Sequence, residues 1–388
     1  MQKIRYLEGL RGVAALIVLF NHLQSACYAS HRDYITSYIN HLEIYKVFKI
    51  FLIQTINLSL DGKLAVWIFW VLSAYVISII FFKPNENYDK VLIAYFTKRY
   101  FRLGIPVLCS VILAYLLLKF GFMYNDKVAD VLGPASVENW LVSFYAFEPN
   151  FFNALSSAVY ETFFIFDSRS SYNGVLWTIQ NEFLGSLFTF SIFGIIRHNS
   201  RRYLLYLIIL IVLVKLNIVW LCAFVIGHIL CDYDFSATNN KIITYLKLSE
   251  LRLYKFKSYL FILSIAVIIF SKPVMSFLSI SYDFQNLFLS VFIVYNCLRN
   301  VVFQNLFSLK IPLWLGKISF SLYLIHIPVI CSLTSFLLLY NNSLAGKITC
   351  TLTTIVVVLI GSSLFNKYVD RNSIIYANKI GSYFKKFT

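Results

Sequence analysis

The chain has 388 residues, 59% of them apolar and only 13% charged, with a net charge of +16 and a mean hydropathy of +0.72. A water-soluble domain of this length carries about a quarter charged residues, so the composition excludes an ordinary soluble fold and makes the bilayer the solvent. The basic excess does not call for nucleic acid, because the charges cluster between long apolar runs and the aromatics lie inside or at the ends of those runs, not on a polar surface.

A bilayer crossing needs roughly 20 apolar residues in a helix. Taken in chain order, the hydropathy predicts ten spans, at about 10–28, 64–82, 104–122, 176–196, 203–214, 217–230, 258–271, 284–298, 313–336 and 346–366. The first carries Arg11 and His22, is longer than a signal-peptide core and lacks a small-residue cleavage site, so it is expected to remain as a helix. The stretch 203–230 is read as a hairpin of two short helices, because Lys215 and Asn217 interrupt it and an unpaired Lys at that depth is costly. The expected fold class is all-α, a polytopic integral membrane protein formed as one transmembrane domain over residues 1–388 with no separate soluble domain.

Ten spans put both termini on one side, and the Lys/Arg bias makes that side cytoplasmic. Inside segments then collect Lys3 and Arg5; Lys83, Lys90, Lys98, Arg99 and Arg102; Arg197, Arg201 and Arg202; Lys241, Lys247, Arg252, Lys255 and Lys257; Arg299 and Lys310; and the basic tail from Lys367. Outer segments are poorer, and dropping the 203–230 hairpin would invert every later loop. The seven cysteines show no metal-ligand or CxxC spacing and read as packing residues, so no metal is expected. The longest outer segment, about 123–175, is acidic and rich in Tyr, Phe and Asn; with the loop at 29–63 it is placed to cap a site.

Ionisable residues inside spans are expensive and mark function or pairing. Here they are Arg11, His22, Glu182, His228, Lys317 and His326. Arg11 and His22 are eleven positions apart, which returns them to one helix face within roughly 20°, with His22 about 16 Å further outward. Glu182 and His22 each lie about six residues, roughly 9 Å, below the outer surface, and His326 falls at a comparable level. Two histidines and a carboxylate at one depth suit general-base chemistry on a hydroxyl, with the carboxylate orienting the imidazole. An intramembrane His is also an ordinary helix-to-helix hydrogen bonder, which is the reading preferred for His228; His326 is open to either role. Arg99 and Arg102, three apart near the inner surface at Arg11's level, suit bidentate phosphate binding, although topology or lipid headgroups also account for them. A secondary transporter would use similar residues, but no two related halves with interrupted helices are visible.

These residues fall in segments that resemble the acyltransferase 3 family of membrane-bound O-acyltransferases, which includes bacterial O-antigen and exopolysaccharide acetylases. LEGLRGVAALIVLFNH (7–22) is similar to its first-helix Arg/His motif. WIFWVLSAYVI (67–77) and FTKRYFRLGIP (96–106) resemble its aromatic VLSG-type segment and its RxxR, here Arg99 and Arg102. LWTIQNEF (176–183) resembles its LWSLSVE segment, with Trp177 and Glu182, and LGKISFSLYLIHIP (315–328) its SYSLYLWHWP segment, with Ser319, Ser321, Tyr323 and His326. The resemblance runs from residue 7 to about 330.

The resemblance implies an acyl-CoA donor, usually acetyl-CoA, and a carbohydrate hydroxyl as acceptor, often on a lipid-linked glycan, at a bacterial inner membrane. It implies that Arg11, Arg99 and Arg102 hold the donor's phosphates, that His22 is the base or transient acyl acceptor with Glu182 in support, and that Trp177, Ser319, Tyr323 and His326 contact substrate or brace the pocket. A lipid, peptide or small-molecule acceptor, or a succinyl donor, fits the same residues. Ala74 and Ala65 stand where the family usually has glycine, which bears on helix packing, and Phe183 stands where it often has a second acid.

Overall fold

The computed structural model describes residues 4–28, 39, 45–82, 88–132, 141, 144–196, 199–238 and 254–387. Lys3, Lys83, Arg197, Lys241, Lys247 and Arg252, which enter the charge asymmetry, and Glu138 of the acidic 123–175 segment lie outside the described residues. Every regular element among the described residues is a helix, as lipid requires of a chain that must satisfy its backbone groups internally.

The main helices are α1 (Arg5–Tyr28), α2 (Lys46–Ser59), α3 (Gly62–Ser78), α4 (Tyr88–Lys119), α5 (Asn125–Leu132), α6 (Phe151–Ser156), α7 (Trp177–Ile196) and α8 (Arg202–Lys215). They continue with α9 (Val219–Thr238), α10 (Tyr254–Phe277), α11 (Tyr282–Arg299), α12 (Val301–Phe307), α13 (Lys310–Val329), α14 (Leu344–Phe365) and α15 (Arg371–Phe387). A π-helical turn carries α13 on to Tyr340, and another, Asn366–Asp370, joins α14 to α15.

Among the described residues seven helices are long and apolar enough to cross a bilayer, and nine if the bent pairs α2/α3, at 60°, and α11/α12, at 95°, each count as one span. The fifth predicted span, 203–214, forms α8, whose 14 residues reach about 21 Å against a hydrocarbon core of about 30 Å. The hairpin itself is present: Lys215 ends α8, and Asn217 takes φ 57°, a left-handed conformation that Asn tolerates. Two further segments differ from the sequence reading. Residues 46–59, expected as outer loop, are helical. Arg99 and Arg102, expected just before the third span, lie within the crossing-competent helix Leu92–Lys119.

The chain divides into two compact units. The first comprises Met1–Ala14, Lys63–Leu92 and Leu184–Gly316; the second comprises Ala15–Gly62, Ile93–Phe183 and Lys317–Thr388. In the first unit, close backbone approach depends on small residues, as expected for helices packed in lipid. A Cβ on Gly12 would run into the backbone of Gly316, and one on Gly227 would sit 2.8 Å from the Cβ of Ala74 and 2.5 Å from the carbonyl oxygen of Val71. The small residue expected within the second motif is therefore supplied by the facing helix, α9. In the second unit, Leu352, Val356 and Ile360 repeat every fourth residue on the outer face of α14, while Ser110, Asn173, Thr178, Ser319 and Ser321 are buried. Apolar side chains lie on the outer face and polar ones inside, where Ser110, Asn173 and Thr178 are hydrogen-bonded.

Candidate active site

The second unit brings together the histidines of the first and last motifs. His22 Nδ1 of α1 lies 2.8 Å from His326 Nε2 of α13, with the rings stacked at 5.0 Å between centroids and 17° between planes. His326 is fully buried, while His22 stays partly exposed. The second nitrogen of His326, Nδ1, lies 3.1 Å from the carbonyl oxygen of Leu322.

The segment around His326 is anchored for a reason legible in its sequence. Pro328 sits inside α13 and has no N–H, so the carbonyl of Leu324 four residues earlier loses its helical donor. That carbonyl accepts from Ser110 Oγ at 2.9 Å and from Asn173 Nδ2 at 2.7 Å. Asn173 also donates to Ser110 Oγ at 2.8 Å, and its own side-chain oxygen caps the turn leading into α7. One residue before Leu324, the Tyr323 hydroxyl pairs with Thr178 Oγ1 at 2.7 Å and donates to the Val175 carbonyl at 3.3 Å. The start of α7, with the predicted Trp177, is thus tied to the His326 turn. Ser319, one helical turn further toward the N-terminus of α13, is buried.

The predicted cations divide. Glu182, expected to orient His22, forms an ion pair with Arg99 at 2.6 Å, with the two side chains 18% and 15% exposed. Arg102, expected on phosphate with Arg99, pairs at 2.5 Å with Asp370 Oδ1, donates to Ser373 Oγ at 3.0 Å, and stacks over the Phe320 ring. Asn366 Nδ2 in turn donates to the other Asp370 oxygen at 2.9 Å and to the Lys317 carbonyl at 2.8 Å. Partly buried guanidiniums take carboxylates because an unpaired charge away from water is costly. Arg11 is partly exposed and has no ion-pair partner among the described residues. Asp370 and Asn173 were not singled out from the sequence. Asp370 lies beyond the hydropathy-defined end of the last span, and the available signal was the Asn366/Asp370 spacing of four on a helix that continues past that end.

The first unit holds a different cluster. His228 lies between Ser78 Oγ at 2.8 Å and Tyr206 OH at 3.1 Å. Tyr206 also donates to Asp232 Oδ2, which Arg202 Nε meets at 2.7 Å. Ser78, His228 and Asp232 are all fully buried, so this network braces α3, α8 and α9, the helix-bonding role read for His228. In the second unit, Phe147, Glu148, Asn153, Glu161, Asp167 and Tyr172 of the acidic outer segment line a cavity of about 370 Å³. Among the described residues no group of three or more His, Cys, Asp or Glu is arranged to hold a metal.

The fold and this set of intramembrane polar groups define a multi-pass membrane protein with a pair of contacting histidines. A family profile described as an acyltransferase domain matches residues 4–366; the chain belongs to that family, acyltransferase 3, and is a membrane acyltransferase. Comparison with curated proteins and with solved structures gives no match.

Proposed function

We propose that the protein is an O-acyltransferase of a bacterial inner membrane, transferring acetyl from cytoplasmic acetyl-CoA to a hydroxyl of a cell-surface or lipid-linked glycan. The observation that carries this reading is the partly exposed His22 held against His326 in a chain of the acyltransferase 3 family. An imidazole beside a hydroxyl substrate supplies general-base catalysis worth about 10²–10⁴ in rate. In the proposed step the acceptor oxygen attacks the thioester carbonyl as its proton passes to His22. The C–S bond then breaks, and the leaving thiolate takes that proton back, so the products are the O-acyl ester and free CoA-SH.

Arg11 takes a donor phosphate in this reading, since it lacks an acidic partner among the described residues and stands on the same face of α1 about 16 Å inward of His22. That separation suits a donor whose charged head stays low while its thioester reaches up. Arg99 and Arg102 spend N–H donors on Glu182 and Asp370, and a guanidinium's five donors leave others for the donor's anionic groups. Trp177, Ser319 and Tyr323 support the pocket wall. The family favours this reading over a transporter.

The test supplies membranes containing the protein with labelled acetyl-CoA and candidate glycans. Label in alkali-labile ester linkage on the glycan is the expected result; label only on lipid or peptide would replace the acceptor. Orientation is checked with a cysteine placed in the tail after Arg371, which an impermeant thiol reagent added outside should fail to label.

A further inference from the structure

We propose that His326 is a positioning residue that sets the tautomer of His22, so that His22 Nε2 is the nitrogen that receives the acceptor's proton. This rests on the general-base reading of His22 and adds which nitrogen acts and what directs it. A neutral imidazole has one N–H and one lone-pair nitrogen, and the partners decide which is which. His326 Nδ1 faces the Leu322 carbonyl oxygen at 3.1 Å. A carbonyl only accepts, so that nitrogen carries the hydrogen. His326 Nε2 is then the lone-pair nitrogen, and His22 Nδ1, 2.8 Å away, must supply the hydrogen between them. The lone pair of His22 falls on Nε2.

The orienter is therefore a second imidazole whose own tautomer is set by a backbone carbonyl of its helix. The sequence pointed instead to the Glu182 carboxylate, which pairs with Arg99. The chain of donors runs from His22 through His326 to Leu322. Once His22 takes a proton at Nε2, its Nδ1–H bond to His326 becomes charge-assisted and shorter, strengthening as the transition state forms. The anchoring of Leu324 by Ser110 and Asn173 holds the His326 turn in place for this.

Two measurements test the assignment. The first is ¹⁵N NMR of histidine-labelled protein in nanodiscs, with the His22 signals identified from their loss in His22→Gln; it should show His22 protonated at Nδ1 and bare at Nε2. The opposite tautomer would overturn the proposal whether or not acyl transfer is ever observed. The second compares His326→Ala with His326→Gln, whose amide oxygen can still accept from His22 Nδ1–H. His326→Ala should lower kcat by about 10²–10⁴, the range of general-base catalysis, whose upper end is the loss a wrong tautomer causes in a serine-protease triad, with KM for donor and acceptor unchanged. His326→Gln should recover most of that loss. A His326→Ala enzyme with wild-type kcat, or one altered only in acceptor KM, would make His326 a substrate contact and overturn the positioning role. Activity absent from wild-type protein with every donor would instead count against the acyl-transfer reading, leaving the NMR result to decide the tautomer.

Discussion

Two intramembrane histidines, one in each unit, show how similar polar groups serve different ends. His228 is sealed from every side, and both its ring nitrogens meet hydroxyls, of Ser78 and Tyr206, inside a network closed by Asp232 and Arg202. His22 keeps part of its surface exposed and meets another imidazole at Nδ1. The first arrangement satisfies polar groups that join helices in a medium without water. The second, in the proposed mechanism, orients a base. Burial and the identity of the partner, more than the presence of histidine at depth, separate scaffold from chemistry.

The contrast can be broken most sharply at His22. Replacement by Ala should lower transfer by about 10²–10⁴ without lowering the amount of folded protein; undiminished transfer would move the base elsewhere. Arg11→Gln should come next, weakening acyl-CoA affinity by roughly 10- to 100-fold, the worth of about one charge-assisted hydrogen bond of 1.5–3 kcal/mol. Donor titration at saturating acceptor reads this, and unchanged affinity would take the phosphate away from Arg11. The Arg99–Glu182 pair should register mainly as stability. Arg99→Gln and Glu182→Gln should each lower the thermal midpoint, and the double variant should fall short of their sum by an interaction energy of about 0.5–3 kcal/mol. Strict additivity would mean the pair contributes nothing. The smallest effect belongs to the first unit, where His228→Gln should cost about 1–3 kcal/mol for the partners left unsatisfied, with activity per folded molecule retained.

Much of this contrast was legible in the sequence. Apolar runs located nearly every long helix, and the bilayer's demand for helices fixed the fold class. Arg11 and His22 could be placed on one face because helical spacing is local. Pairing across distant segments is a tertiary fact that the sequence does not print. Glu182 and Arg99 lie 83 positions apart, and depth alone placed Glu182 equally well beside His22. Helix α2 escaped notice because Lys46, Lys49, Gln54, Thr55 and Asn57 break up its apolar run. Asp370 escaped because hydropathy falls where the last span ends, although the helical backbone runs on through a π-turn into α15. Pro328 carried a readable signal in its missing N–H, but the Asn173 and Ser110 groups that answer it come from elsewhere in the chain.

The central claim, that one histidine performs the chemistry and the other holds helices together, meets its most direct test in a single experiment. Ester-linked acetyl transfer per folded molecule would be measured side by side for wild-type protein, His22→Gln and His228→Gln in the same membranes. The expected result is transfer near the wild-type rate for His228→Gln and a loss of about 10² or more for His22→Gln. Equal losses at the two positions, or a larger one at His228, would contradict the account.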